Sequence, residues 1–465
     1  MAKRSTQYVC QNCGATFPKW LGQCSGCSQW NTLVEELAED AAKPGGNRVA
    51  KSATPLSLSQ VKTTKATKSR FSTGIGEMDR VLGGGIVPGA VMLIGGEPGI
   101  GKSTLLTQMM LTLVAAGATS TSGTHTVLYV CGEESPSQIY LRINRMLSIE
   151  NKNSSKKKGF SSVTDFEDRV LFVTDTDVDV IAATIRKVKP SLVIVDSIQT
   201  ITTQDLSGAS GSLGQLREST DRLITVAKTE HTPIFLVGHV TKEGVIAGPK
   251  ILEHSVDAVI ELSGERTGEL RILRALKNRF GATDEVGIFQ VVEAGLIEVT
   301  NPSALFLENQ EKPVAGSATV CVMEGTRPLL AEVQALVVHS QLAMPRRVGR
   351  GVQLPRIQVL AAVLEKHGKL PLSTYDVFLN AAGGFKINEP AVDLGLAVAI
   401  ASSLKNRPLP PKALFIGEVG LLGEIRNVAY MDKRVGESRR LGFEQIYSRQ
   451  THQSLLGLLR DLSLL

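Results

Sequence analysis

The chain reads as an α/β protein built around a doubly wound parallel sheet. Three observations predict this. Apolar runs of strand length recur at residues 90–95, 126–130, 191–195 and 234–237, with helix-length stretches between them. The first run leads into a glycine-rich loop, Gly96-Glu97-Pro98-Gly99-Ile100-Gly101-Lys102-Ser103, that opens a helix. Apolar residues make up 42% of the 465 and charged residues 21%, which excludes a disordered or collagen-like chain and leaves material for more than one core. At roughly 150 residues per domain, about three domains are expected. No apolar run approaches the ~18 residues of a membrane helix; one of the longer ones lies at 394–401. The opening eight residues lack the apolar stretch of a secretory signal, so a cytoplasmic location is expected.

The first element is a metal module at residues 1–29. Four of the six cysteines are spaced Cys10-x2-Cys13-x10-Cys24-x2-Cys27. Each C-x2-C pair forms a knuckle that aims two thiolates at one point, and two knuckles complete a tetrahedral sulfur site suited to Zn²⁺. So short a stretch can hardly bury a core, so metal binding and folding should be coupled. Disulfides would need an oxidising compartment that nothing marks; an iron–sulfur cluster is the rival occupant. Lys19 and Trp20, between the knuckles, can either touch a phosphate and a base or pack the module. Cys131 and Cys321 read as small buried hydrophobes.

Residues 30–69 are rich in Ala, Lys, Ser and Thr and read as a flexible basic linker. Residues 1–70 hold ten Lys and Arg against four acids, which accounts for the whole net charge of +6. A basic segment of this kind suits nucleic acid, or keeps a solvated linker soluble.

Residues 70–298 read as the nucleotide-binding core. In the phosphate loop the glycines let backbone N–H groups close around phosphates. Lys102 supplies a point charge to the β- and γ-phosphates, Ser103 a hydroxyl for Mg²⁺, and the site runs on through Thr104. The run at 191–195 ends in Asp196, either a Mg²⁺-side acid or a turn cap. The run at 126–130 ends in Cys131-Gly132-Glu133-Glu134-Ser135. A carboxylate there can polarise an attacking water; alternatively Ser135 caps a helix that both glutamates favour. His239, at the tip of the run at 234–237, is either structural or a γ-phosphate sensor. Residues 202–215 are small, polar and glycine-rich, and read as a mobile loop. Arg271, Arg274, Lys277 and Arg279 form a cationic run that is either a solvated strand face or a contact to phosphate on a neighbouring subunit or on DNA.

Taken together, the cysteine quartet, the loop from Gly96 to Ser103, Gly238-His239-Val240-Thr241-Lys242-Glu243-Gly244 and Lys277-Asn278-Arg279-Phe280-Gly281 resemble the RadA (Sms) family of bacterial DNA-repair ATPases over nearly the full chain. The last pentapeptide is the most specific of these. The resemblance implies a RecA-like P-loop core between an N-terminal zinc ribbon and a C-terminal domain. It implies ATP and Mg²⁺ at Lys102, Ser103 and Asp196, with Glu133 as the catalytic carboxylate. It implies Lys277 and Arg279 acting across a subunit interface or on DNA. It further implies a homo-hexameric, helicase-like motor that migrates branches in recombination intermediates, on single-stranded or branched DNA. Its expected partners are a recombinase such as RecA and replication-fork proteins, with no membrane. Residues 119–124 and 151–162 look like surface inserts, the second carrying Lys156, Lys157 and Lys158.

Residues 299–465 restart as a separate α/β unit that resembles the proteolytic domain of Lon. Aligned without gaps, the nucleophile position holds Ala391 and the catalytic lysine position Arg434. A methyl group cannot attack a carbonyl, and a guanidinium with a pKa above roughly 12 cannot act as a neutral base. Lys433 next door restores a lysine by a one-residue slip, but no nucleophile. A scaffold for ring assembly and DNA contact is expected, with Arg346, Arg347, Arg350 and Arg356 lining a DNA path or making interface salt bridges. Two rival readings are an ATP-dependent protease, against which the dyad positions argue, and a clock-type ATPase acting on proteins, which the pentapeptide disfavours.

Overall fold

The apolar runs become neighbouring strands of one sheet. The computed structural model describes residues 6–37, 70–119, 125–153, 167–238, 249–264, 269–301, 303, 313–382 and 387–465. The chain divides into two compact units, Met1–Thr283 with Gly287–Glu298, and Asp284–Val286 with Val299–Leu465.

The first unit opens with a three-stranded ribbon, β1 (Thr6–Cys10), β2 (Thr16–Phe17) and β3 (Leu33–Leu37), ordered β2-β1-β3. β3 lies in the stretch read from composition as linker. It pairs with all five residues of β1, a partner that composition cannot reveal. The rest of that linker, residues 38–69, lies outside the described residues.

Its main sheet has nine strands: β4 (Val91–Gly95), β5 (Val127–Cys131), β6 (Val170–Val173), β7 (Leu192–Asp196), β8 (Ile234–Val237), β9 (Ala258–Ser263), β10 (Leu270–Asn278), β11 (Val286–Val292) and β12 (Gly295–Glu298). The order is β12-β11-β10-β9-β4-β8-β7-β5-β6. From β9 to β6 every pairing is parallel, while β10 returns antiparallel to β9. Successive side chains of a strand point to opposite faces. Met92 and Ile94 therefore join one apolar cluster, with Leu105 and Met109 of helix α2, while Val91 and Leu93 join the other, with Ile181 and Leu223. A strand buried on both faces reads as an unbroken apolar run, which is why these strands are legible in the sequence.

The described α-helices of this unit are α1 (Gly76–Val81), α2 (Lys102–Thr119), α3 (Pro136–Asn153), α4 (Val178–Val188), α5 (Leu213–Glu230) and α6 (Pro249–Ser255). α4 shows both end signals. Asp177 accepts the Asp179 N–H at 2.8 Å, and Lys189 ends the helix in the left-handed region. Of the two expected inserts, residues 120–124 and 154–162 lie outside the described residues.

The second unit carries a six-stranded sheet of β13 (Ser317–Glu324), β14 (Arg327–His339), β15 (Arg347–Arg350), β16 (Tyr375–Ala381), β17 (Ala413–Phe415) and β20 (Gln445–Tyr447), ordered β15-β16-β14-β13-β17-β20. β18 (Glu418–Val419) and β19 (Ile425–Arg426) form a small hairpin. Its described helices include α7 (Leu354–Lys366), α8 (Asp393–Leu404), α9 (Met431–Arg440) and α10 (Leu455–Asp461). The apolar run at 394–401 is α8, whose residues from Asp393 to Ser402 are all buried. Among the described residues no helix is long and apolar enough to cross a membrane. A Cβ on Gly395 would sit 2.1 Å from Val320 Cγ1, so α8 lies on β13 at glycine distance. Gly395→Ala is expected to destabilise this unit by about 1–3 kcal/mol through overpacking, read as a lower melting transition for this unit alone in scanning calorimetry.

Candidate nucleotide site and metal module

Because β4, β8, β7 and β5 are parallel neighbours, their carboxyl ends form one edge, the usual ligand edge of an open α/β sheet. The loop from Gly96 to Gly101 leaves β4 at this edge. At Gly96 (φ +151°) a side chain would meet the Leu262 carbonyl at 2.4 Å, so only glycine lets the loop turn there. Lys102 opens α2 and is 4% exposed. Its ammonium donates to the carbonyls of Gly96 (2.8 Å) and Glu97 (3.0 Å). Burial lowers its pKa, while the charges of Asp196 and Glu133 oppose that shift. The structure thus gathers Lys102, Asp196 and Glu133 into one electrostatic site. Ser103 and Thr104 follow on the first turn of α2, half-buried.

Asp196 ends β7 beside Cys131 of β5. The hydroxyl of buried Tyr129 donates to Asp196 Oδ2 at 2.8 Å. The N–H groups of Gly132 and Glu133 donate to the Asp196 carbonyl at 2.7 and 3.1 Å. The Asp196–Ser197 peptide is cis, and the Ser197 hydroxyl donates to Glu133 Oε1. The two glutamates divide. Glu134 pairs with Arg142, and Glu133, though exposed, accepts from Ser197. The cap of α3 falls to Ser135 and Gln138, which bond each other's backbone N–H at 3.3 and 2.8 Å. Ser103 and Asp196 offer the hard oxygen donors that Mg²⁺ takes, and the glycine loop a cradle that a Cβ would fill, so the residues present fit a magnesium nucleotide.

Sequence reasoning missed three members of this site. Tyr129 and Ser197 sit inside strand and turn patterns that look purely structural. Arg271, read as part of a solvated or intermolecular cationic run, is 6% exposed and donates from Nε to the Ile100 carbonyl at 3.2 Å. It props the phosphate loop from below.

Lys277 and Arg279 lie elsewhere. Lys277 pairs with Val259, which pairs with Leu93. At about 3.3 Å per residue this leaves it ~10 Å back from Gly96, toward the opposite edge of the sheet. Lys277 Nζ donates to the carbonyls of Glu253 (2.6 Å), His254 (3.2 Å) and Val256 (2.9 Å). It therefore closes the C-terminus of α6, the end that attracts cations. Arg279, half-exposed, reaches Asp257 Oδ1 at 3.3 Å. Neither approaches the phosphate loop of its own chain. Gly238 closes onto the Ile94 carbonyl at 2.9 Å; His239 and the residues up to Gly244 lie outside the described residues.

In the ribbon, the Sγ atoms of Cys10, Cys13, Cys24 and Cys27 all lie within 4.8 Å of one another. Cys10–Cys27 and Cys13–Cys24 are both 3.6 Å apart, close to the ~3.8 Å sulfur separation that Zn–S bonds of about 2.3 Å impose on a tetrahedron. The quartet fits zinc. Thr32 Oγ1 stands 3.2 Å from Cys10 Sγ and holds that thiol down, to about 6. The ribbon docks on the core through β3. Glu35 accepts from the Ser207 N–H (3.2 Å) and hydroxyl (2.8 Å), and Glu36 from Arg217 (2.7 Å). The loop read as mobile at 202–215 is tied at Ser207, and internally by Gln215, which bonds Thr203, Leu206 and Gly208.

In the second unit Ala391 is buried, and Arg434 is 2% exposed. Arg434 makes a bidentate pair with Glu389 (2.5 and 3.1 Å) and donates to the Ala429 carbonyl at 3.0 Å. Burial pushes the neighbouring Cys321 thiol up to about 12, far from a nucleophile. Of the four arginines read as a DNA path, two are pins. Arg347 donates to the Leu372 carbonyl at 2.8 Å, and Arg356 to the carbonyls of Glu389 (2.7 Å) and Asn388 (3.0 Å). Arg346 and Arg350 are exposed.

Comparisons with known proteins bear on the family. Residues 71–304 match the family model described as ATPase: KaiC, and residues 8–35 that of a rubredoxin-type metal-binding domain. The DNA repair protein RadA of Bacillus subtilis is 45% identical over 96% of this chain and 93% of its own. That of Pseudomonas aeruginosa is 47% identical over the same shares. A crystal structure of the RadB recombinase aligns with 49% of this chain and 99% of its own, at 22% identity and a TM-score of 0.37. Phosphate loop, paired acids, cysteine ribbon and full-length relatives converge: the chain belongs to the RadA family of DNA repair proteins, with a RecA-like ATPase core behind a zinc ribbon.

Proposed function

We propose that this protein hydrolyses ATP between adjoining protomers of a ring, a homo-hexamer, and uses the energy to translocate along single-stranded or branched DNA, driving branch migration. The separation of Lys277 and Arg279 from their own chain's phosphate loop carries this reading. Half-exposed Arg279 and, once released from the α6 carbonyls, Lys277 can serve a neighbour's nucleotide or DNA, and so couple one to the other.

Within the site, Lys102 and the loop N–H groups from Gly96 to Thr104, Pro98 excepted, hold the phosphates. Bound Mg²⁺ would neutralise phosphate charge, held by Ser103 and Asp196. Tyr129 keeps the Asp196 carboxylate in place. Glu133, oriented by Ser197, accepts a proton from the water that attacks the γ-phosphorus, and ADP leaves. In the second unit, Ala391 and the tied-down Arg434 leave no Ser–Lys chemistry. That unit serves as scaffold, with Arg346 and Arg350 available to phosphates. A recombinase and replication-fork proteins are the expected partners.

ATPase rates measured without DNA, with single-stranded DNA and with forked DNA, alongside the mass of the assembly, test the reading. Stimulation by DNA in a ring-sized species is expected. A rate unmoved across a low-salt DNA titration, or a protomer that never associates, would discard it.

A further inference from the structure

The chain has two tryptophans, and both lie on the zinc ribbon. Neither packs it: Trp20 is 54% exposed and Trp30 67%. A Cβ on Gly22 would stand 3.6 Å from Trp20 Cη2 and 3.6 Å from Trp30 Cζ3, so the two indoles flank a single backbone position. The Asn31 N–H donates to the Gly22 carbonyl at 2.9 Å, and Gln23 bridges Trp30. The pair therefore sits on a fixed turn beside the second cysteine knuckle. Lys19, also exposed, adjoins Trp20.

Charge separates this face from the other side of the ribbon. Between residues 6 and 37 the acids are Glu35 and Glu36, and both bond to the core, at Ser207 and Arg217. The sole cation in that span is Lys19. The segment around it, residues 1–70, carries the entire positive excess of the protein. Two uncovered indoles next to an ammonium, inside a cationic segment, match a strand whose bases stack and whose phosphates are anionic. A protein partner would use the indoles but would gain little from that charge.

We propose that Trp20 and Trp30, with Lys19, form a base-stacking site for single-stranded DNA on the zinc ribbon. Sequence alone left Trp20 between packing and contact; the exposure of both indoles decides for contact. The inference rests on the reading of DNA as partner, and its test keeps the two apart.

Because no other tryptophan exists, the intrinsic fluorescence of the full-length protein reports on this site alone. Titration with oligo-dT should quench it saturably, and an abasic strand of equal length should not. Trp20→Phe and Trp30→Phe assign the signal to each ring. Trp20→Ala and Trp30→Ala should each weaken the quenching isotherm by about 5- to 150-fold, with zinc content unchanged as the control for folding. Unquenched tryptophan under DNA that fully stimulates the ATPase would overturn the stacking site and leave the motor standing. Equal quenching by the abasic strand would overturn it too. Quenching only on addition of a purified recombinase would reassign the face to protein. Loss of both stimulation and quenching would remove the DNA reading together with this site.

Discussion

ATP turnover in Lys102→Ala is expected to fall by at least about 10²- to 10³-fold, the usual cost of removing one preorganised charge from a transition state. The fold should survive. The Lys102 ammonium is buried and held by the carbonyls of Gly96 and Glu97, and burial already disfavours its charged form. Removing it relieves that desolvation, although Asp196 and Glu133 then lose its compensating charge. The two effects oppose, so the far-ultraviolet spectrum and the thermal midpoint should change little. Lys102→Arg should also be inactive, because the rigid planar fork does not replace a compact ammonium inside a closed loop. Steady-state hydrolysis and calorimetry on the same samples check both points. Turnover near wild type in Lys102→Ala would dispose of the assigned role.

The second large effect concerns the ribbon. Its buried apolar residues are Cys10, Cys24 and Leu33, too few to hold about 30 residues against their conformational entropy. Structural zinc contributes about 10–16 kcal/mol of apparent binding energy in small modules, and that energy is folding energy. Cys24→Ser, or treatment with a strong chelator, is therefore expected to unfold β1 to β3. The sheet of the core should persist, since its two apolar clusters contain no ribbon residue. Hydrogen exchange would show protection lost over residues 6–37. It should also fall at Ser207, whose N–H and hydroxyl both bond Glu35. A metal-free protein that kept ribbon protection would show that its few side-chain contacts suffice.

The outcome follows how local each signal is. The phosphate loop, the acid-terminated strand and the cysteine spacing are contiguous patterns whose chemistry depends on spacing along the chain. Glu133 was legible as a candidate, but not its separation from Glu134, because whether a carboxylate meets Arg142 or Ser197 depends on how a turn folds. Lys277 and Arg279 stood out by motif, yet their distance from the phosphate loop is a matter of strand register. Arg271 had the appearance of one more surface cation. Only the antiparallel return of β10 brings it under Ile100.

Sequence alone determined the α/β class, the order of modules, the glycine cradle and the sulfur ligands, because each rests on periodicity or on residues a few positions apart. Tertiary structure decided which polar groups meet: Tyr129 with Asp196, Ser197 with Glu133, Arg271 with the loop. It also decided which face of the ribbon meets the core and which leaves two indoles in water. Those outcomes depend on contacts between residues tens to hundreds of positions apart, and no local pattern encodes them.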